Sequence, residues 1–272
     1  MSAVNLLPYG LGAPELVEFQ DGYFVCKEIC ADLEKFSQVL AQNGFRLRLE
    51  SAYRPFEKQL SIWNRKARGE LALLDEFGKP MQRPTDEEEL MYAILTWSAL
   101  PGASRHHLGT DIDVVDGNAC PEGYEVQLTP DECTGMFAKF HEFLDARFAA
   151  DDAFGFSRVF VPGRGKIKPE GWHIAHLPTS RRLLEGFSWK RSAAYTRRAT
   201  SPARMPSSRI SRNLRKTTST RTSFSSCWPE SSCRRPAGAR ASTSLPSLQS
   251  TWQILSRTCR TGLQATCAAA PA

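Results

Sequence analysis

The sequence predicts a folded domain of mixed helices and strands over residues 1–190, followed by a tail of different character over residues 191–272. Three observations lead there. Amphipathic helical patterns interleave with short strand-like runs along the first part. No run of 18 apolar residues occurs, which excludes a transmembrane helix. The charge divides: 14 of the 35 Lys and Arg residues fall after Lys190, but only one of the 29 Asp and Glu residues does. An acidic first part is thus joined to a basic last part, and the overall charge of +6 describes neither. At 272 residues, with 41% hydrophobic and 24% charged content, the chain has enough material for a proper core.

The elements follow in order. From Tyr23 to Leu40 a stripe of Phe24, Ile29, Leu33, Phe36 and Leu40 predicts a helix that ends at Asn43-Gly44. Phe45 to Leu49 alternates apolar and basic residues, as a half-buried strand does. Pro55 opens a helix over about 56–67. Thr85, with Glu88 three residues on, predicts a capping box for a helix running to about Ser98. Pro101-Gly102 breaks the chain. Thr110 to Val115 reads as a strand, and 129–148 as one helix capped by Thr129. Phe156 to Val161 and Trp172 to Leu177 read as strands. Cys26 and Cys30 lie four apart and are expected to be small core residues. There is no CxxC pair, and a disulfide framework is not expected.

The last 82 residues hold 16 Ser, 11 Thr and 13 Arg, with apolar residues scattered at no period. Such a segment buries too little to offset its chain entropy, so disorder is expected. A basic arm for nucleic acid or an anionic membrane is one reading of it. The preferred one is out-of-frame translation, because one-nucleotide slippage in a GC-rich gene turns Glu and Leu codons into Ser and Arg codons. Met1 to Glu18 lacks a basic segment followed by an apolar one, so the expected location is cytoplasmic.

Three segments carry the chemistry: Ser51-Ala52-Tyr53-Arg54-Pro55, Ser104 to Asp113, and Glu170-Gly171-Trp172-His173. Two imidazole-bearing segments, one with carboxylates on a strand, offer two His and one carboxylate. That donor set suits a catalytic zinc whose fourth position is left to water.

These residues resemble the VanY-type D-alanyl-D-alanine carboxypeptidases, the M15 or LAS zinc peptidases. The family pattern is an upstream S-x-Y-R, then S-x-H with an Asp seven residues after the His, then E-x-W-H. All three pieces occur here in order, and the likeness covers roughly Asp32 to Phe187. The resemblance, more than the periodicity, implies an α+β fold: a small antiparallel sheet flanked by helices, the LAS or Hedgehog-like fold. It implies one Zn2+ per chain, held by His106, Asp113 and His173. Glu170 matches the general base and acid, and Arg54 the arginine that meets negative charge on substrate or transition state. Gln59 and Ser104 match substrate-binding positions. The plain alternatives are an exposed helix glutamine and a serine that only holds its loop.

Some positions stay open. His106 and His107 are neighbours that should point different ways, and the distance of seven to Asp113 selects His106. Asp111 shares a strand face with Asp113, where the family has a small residue. It either approaches the metal or is a solvated or Arg-paired carboxylate. His176 has no matched role. Glu170 must sit ahead of the strand, with Gly171 permitting the bend.

The implied function is zinc-dependent removal of a terminal D-amino acid from peptidoglycan-type peptides by a monomer. An endopeptidase cutting between L-Ala and D-Glu shares the fold and zinc set. A zinc-bearing domain that binds without catalysis has no need of Glu170. A nucleic-acid partner is not expected, since the tail has only Tyr195, Phe224, Trp228 and Trp252 to stack on bases.

Overall fold

Leu47 and Leu49, Ile112 and Val114, and Ile174 are contributed by three adjacent strands to one side of a four-stranded sheet. That alternation decides which residues are left for the other side. The computed structural model describes residues 5–162 and 167–200. A hairpin of β1 (Leu16–Gln20) and β2 (Tyr23–Cys26) leads into helix α1 (Lys27–Gln42). Strand β3 (Leu47–Ser51) and helix α2 (Phe56–Arg68) follow, then a two-residue ribbon of β4 (Leu73–Leu74) and β5 (Pro80–Met81), and α3 (Glu87–Leu95). A 3-10 turn, Arg105–Leu108, feeds β6 (Asp111–Asp116). Helices α4 (Pro130–Thr134) and α5 (Ala138–Ala149) precede β7 (Phe156–Arg158), β8 (His173–His176), α6 (Leu177–Leu183) and α7 (Trp189–Thr200).

The main sheet runs β3-β6-β8-β7, antiparallel throughout. Its apolar face packs on Ile29, Leu33, Phe36 and Leu40 of α1 and on Phe140 and Leu144 of α5. A second cluster joins Trp63 of α2, Leu90, Met91 and Ile94 of α3, and Ala193 of α7. The polar face of β6 and β8 lies outside both clusters.

The structure corrects several sequence expectations. The apolar stripe starting at Tyr23 begins as strand, because the Asp21-Gly22 turn, with both residues at positive φ, folds Tyr23–Cys26 back onto β1. Phe24 is consequently exposed. The cap of α3 is Asp86, not Thr85; its carboxylate accepts from the amides of Glu88 and Glu89, both at 2.9 Å. Thr129 does cap its helix, in a capping box with Glu132. That helix is two, however, since the chain leaves helical geometry at Gly135 before α5 begins. Cys26 is buried, whereas Cys30 on α1 is only half-buried. Among the described residues no helix is long and apolar enough to cross a membrane.

The domain boundary set at residue 190 falls inside α7. Ser192 and Thr196 are fully buried, and Thr196 Oγ1 donates to the Pro101 carbonyl at 2.8 Å. Tyr195 meets Tyr9 edge to face at 5.1 Å. The packed unit therefore includes the first turns of α7, and the rest of the expected tail, 201–272, lies outside the described residues. A chain ending at Arg191 loses the Ala193 burial, the Thr196 bond and the Tyr195 contact. It is expected to melt roughly 5–10 °C below one ending at Thr200, for about 2–3 kcal/mol of lost packing and hydrogen bonding. Equal melting temperatures in calorimetry would contradict this packing.

Candidate metal centre and catalytic cleft

Pairing of β6 with β8 sets Asp113 directly opposite His173, and Asp111 opposite Ala175. Directly opposed residues in an antiparallel pair share a face with Cβ atoms about 5 Å apart. On the other side of β6, the register to β3 slips between Leu49 and Ser51, so Ser51 comes to lie opposite Asp113. A bulge of this kind re-aims the strand, and the chain beyond it carries Arg54.

His106 arrives from the 3-10 turn. That turn is closed by Gly109 at φ 67, and a Cβ there would sit 2.9 Å from the Cys26 backbone nitrogen. Only glycine fits this approach. The ring of His106 stands at 82° to that of His173, with centroids 4.8 Å apart. His106 Nδ1–H donates to the carbonyls of Ala52 (3.0 Å) and Asp111 (3.1 Å), which leaves the Nε2 lone pair facing inward. His106 Nε2 lies 3.3 Å from Asp113 Oδ2, and His173 Nδ1 lies 3.0 Å from Asp113 Oδ1. One donor atom from each of the three residues lies within 4.8 Å of the others, and all three residues are buried. Two imidazoles and a carboxylate, with inward lone pairs, form a site fit for a divalent metal ion.

Glu170 stands just ahead of β8, as the sequence required, with Oε2 3.6 Å from His173 Nδ1. Gly171 is not in the left-handed region; what it supplies is space, since a Cβ would lie 3.0 Å from Cys133 Sγ. Arg158 holds this segment by donating to the Gly171 carbonyl. Trp172 is buried and packs on Trp97, with centroids 5.7 Å apart.

Arg54 is clamped from three sides. Its guanidinium donates to Gln59 Oε1 (2.8 Å) and Ser51 Oγ (2.7 Å), and its carbonyl accepts from His107 Nδ1–H (2.6 Å). Gln59 is not an exposed helix residue; it is buried, and its amide also donates to the Ala99 carbonyl at 2.7 Å. Both ends of Gln59 are thus engaged, and it braces Arg54. His107 points away from the metal donors and accepts from the Gly102 amide, and burial pushes its imidazole down to about 4. His176 is likewise occupied elsewhere, against Thr179 Oγ1 at 2.9 Å and Asp32 at 3.5 Å.

Asp111 does not join the donor group. Its Oδ1 accepts from His173 Nε2–H (3.1 Å) and from Arg105 Nε–H (2.5 Å), and its Oδ2 from Thr110 Oγ1–H (2.9 Å). Arg105 in turn donates to Ser180 Oγ at 3.1 Å. The Arg-paired alternative is the observed one, but the pair is buried and stands directly behind a metal-site histidine. Sequence reasoning missed Arg105. The signal was an Arg inside the S-x-H segment with an Asp six residues after it.

The electrostatics are coupled. Burial would raise the Asp111 carboxyl, but Arg105 and then His173 hold it well below the usual range. Burial would likewise raise Asp113, and His106 and His173 hold it low. Burial would depress His173, yet its bonds to Asp111 and Asp113 outweigh that and raise it to about 9. Burial pushes the Glu170 carboxyl up to about 8.

His106, Asp113, Glu170 and His173 open into a cleft of about 240 Å3 that also holds Arg54, Lys66, Ser98 and Ser104, with apolar walls at Ile62, Leu74, Trp97 and Phe160. A larger depression beside Arg46, Arg48 and Cys120 lies open to solvent and contains none of these residues.

The VanY family, D-alanyl-D-alanine carboxypeptidase, matches residues 23–179. Two uncharacterised proteins of Haemophilus influenzae are similar. One is 34% identical over 95 residues, covering 34% of this chain and 72% of that protein. The other is 37% identical over 79 residues, covering 29% of this chain and 54% of that protein. This chain therefore spans only about half the length of the second. Among solved structures, a variant of the D,D-pentapeptidase VanY in complex with Zn(II) aligns at 20% identity and TM-score 0.43, over 66% of this chain and 89% of that one. The LD-carboxypeptidase LdcB aligns at 17% identity and TM-score 0.44, over 67% and 79%.

Two outcomes are expected of the metal site. Below pH 9, His173 of the apoprotein carries a proton that an incoming ion must displace. Raising the pH from 6 toward 9 removes that cost, so affinity should climb up to about tenfold per pH unit, with proton release on binding. A zinc affinity that stays flat over this range, measured by chelator competition, would contradict the pairing of His173 with two carboxylates. Second, Asp111→Asn should weaken metal binding about 10–100-fold by loosening His173. Leaving Arg105 unpaired costs about 3–5 kcal/mol of stability by itself. The double variant Arg105→Met/Asp111→Leu removes both charges, and it should fold while still binding metal weakly.

Proposed function

We propose, from the premise that the chain belongs to the VanY family of D-alanyl-D-alanine carboxypeptidases, that it is a zinc-dependent carboxypeptidase releasing the terminal D-alanine of a D-Ala-D-Ala-type peptide. The observation that carries this reading is the buried Glu170 carboxyl, 3.6 Å from His173 Nδ1, in a cleft shared with Arg54. A domain that only binds through its metal has no use for a base at that place.

His106, Asp113 and His173 would hold the zinc. When bound, zinc supplies a Lewis acid for the scissile carbonyl and lowers the pKa of a bound water to about 7. Glu170 accepts the proton of the attacking water on its carboxylate and delivers it to the departing amine. Burial raises the proton affinity of this carboxyl, which helps it hold the proton between the two transfers. Arg54 donates from a fixed guanidinium to the oxygen on which negative charge develops. Its orientation is set beforehand by Ser51 and Gln59, so little reorganisation is needed during reaction. Asp111 keeps His173 in the tautomer that directs Nδ1 inward. Ser104 borders the cleft as well.

The test is digestion of a pentapeptide muropeptide followed by mass spectrometry. Loss of one D-alanine is the expected product; release of the whole stem would mean an endopeptidase that cuts between L-Ala and D-Glu. Glu170→Gln should retain zinc while turnover falls about 10²–10⁴-fold. Near-normal turnover of the zinc-loaded variant would overturn the assigned role.

A further inference from the structure

The cleft holds a second cation besides Arg54. Gln59, Ile62 and Lys66 fall on one face of α2 at spacings of three and four. Gln59 braces Arg54, while Ile62 and Lys66 border the cleft. At about 1.5 Å per residue, the Lys66 backbone stands roughly 10 Å farther along the helix than Gln59. Lys66 Nζ donates to Ser98 Oγ at 2.7 Å, and no ion pair involves it among the described residues. Ile62, Leu74 and Trp97 wall the same space. Burial lowers the ammonium from its ordinary value, with Glu170 opposing that effect and Arg54 adding to it.

An ammonium drawn partly out of water and given only a neutral hydroxyl is an incomplete site; an anion completes it. The two cations are not equivalent. Arg54 is clamped beside Ser51, whose register partner is the metal-site residue Asp113, so it stands at the reacting centre. Lys66 lies on the stretch of helix beyond Arg54's brace, about two turns past Gln59. A terminal carboxylate is one residue past the scissile bond, and consecutive Cα atoms are only about 3.8 Å apart. The cleft volume of about 240 Å3 suits a short chain end and not a long segment.

We propose that Lys66 and Ser98 form the subsite for the free terminal carboxylate of the peptide, leaving Arg54 to the developing oxyanion. This assignment rests on the carboxypeptidase reading above and deepens it: the subsite would make the enzyme select for a free chain end. Lys66 presents a point charge and Ser98 a hydroxyl that can turn from accepting to donating, which together suit a monoanionic carboxylate.

The experiment compares zinc-loaded wild type, Lys66→Met and Lys66→Arg on a peptide ending in D-Ala-D-Ala and on its C-terminal amide. A third substrate keeps the free terminus but has D-isoglutamine in place of D-glutamate. Zinc content and melting temperature are checked for each protein. Wild type is expected to prefer the free acid. Lys66→Met should lower kcat/KM for the acid about tenfold to a hundredfold, chiefly through KM, and bring the acid-to-amide ratio toward one. Lys66→Arg should restore part of that ratio. Equal losses on acid and amide, or a loss that follows the D-glutamate carboxylate, would overturn the subsite while leaving the carboxypeptidase reading intact. A wild type that releases no D-alanine from the acid would overturn that reading, and the subsite with it.

Discussion

The antiparallel pairing of β6 with β8, with Asp113 opposite His173, is the constraint on which the rest of the site depends. A one-residue slip would turn Asp111 and Asp113 into the core and bring Ile112 to the cleft. The register is held by the other face. Ile112, Val114 and Ile174 are all fully buried against α1 and α5, so a slip would cost the main apolar cluster as well as the site. Function on one face is thus secured by hydrophobic packing on the other.

The polar face presents a harder problem: buried charges must be neutralised or paired. Asp111 solves much of it. Its main-chain carbonyl accepts from His106 and its side chain from His173, so one residue orients both histidines. Arg105 balances its charge from behind, with both side chains almost completely buried. Such an ion pair contributes little net stability compared with an apolar pair of similar volume. What it provides is orientation: two imidazoles whose inward nitrogens are fixed before any ligand arrives. His107 performs a related task, pinning the Arg54 carbonyl and the Gly102 amide with its two ring nitrogens.

Much of this was legible in the sequence, and the unread parts have physical reasons. The S-x-H, E-x-W-H and S-x-Y-R segments named the residues that the fold gathers, because local spacing on strands and turns largely determines which side chains share a face. The choice of His106 over His107 agrees with the geometry. The exposed alternative for Gln59 does not hold, because its burial depends on a carbonyl 40 residues away, that of Ala99. Asp111 stayed open because only the fold supplies its distant partner: Arg105 stands six residues before it, but His173 lies 62 residues beyond it. The Tyr23 segment read as helix from its apolar period, which the turn at Asp21-Gly22 and pairing with β1 outweigh. Composition changes at residue 190, whereas packing continues through Thr196.

The geometry of His106, Asp113 and His173 fits a single metal ion. A crystal structure of the zinc-loaded protein, with anomalous data collected across the zinc edge, tests it directly. The expected result is one anomalous peak about 2.0–2.2 Å from His106 Nε2, His173 Nδ1 and an Asp113 carboxylate oxygen, with Asp111 still bonded to His173 Nε2. A peak coordinated by Asp111 in place of Asp113, or by cysteine sulfur, or no peak in protein of full zinc content, would contradict it.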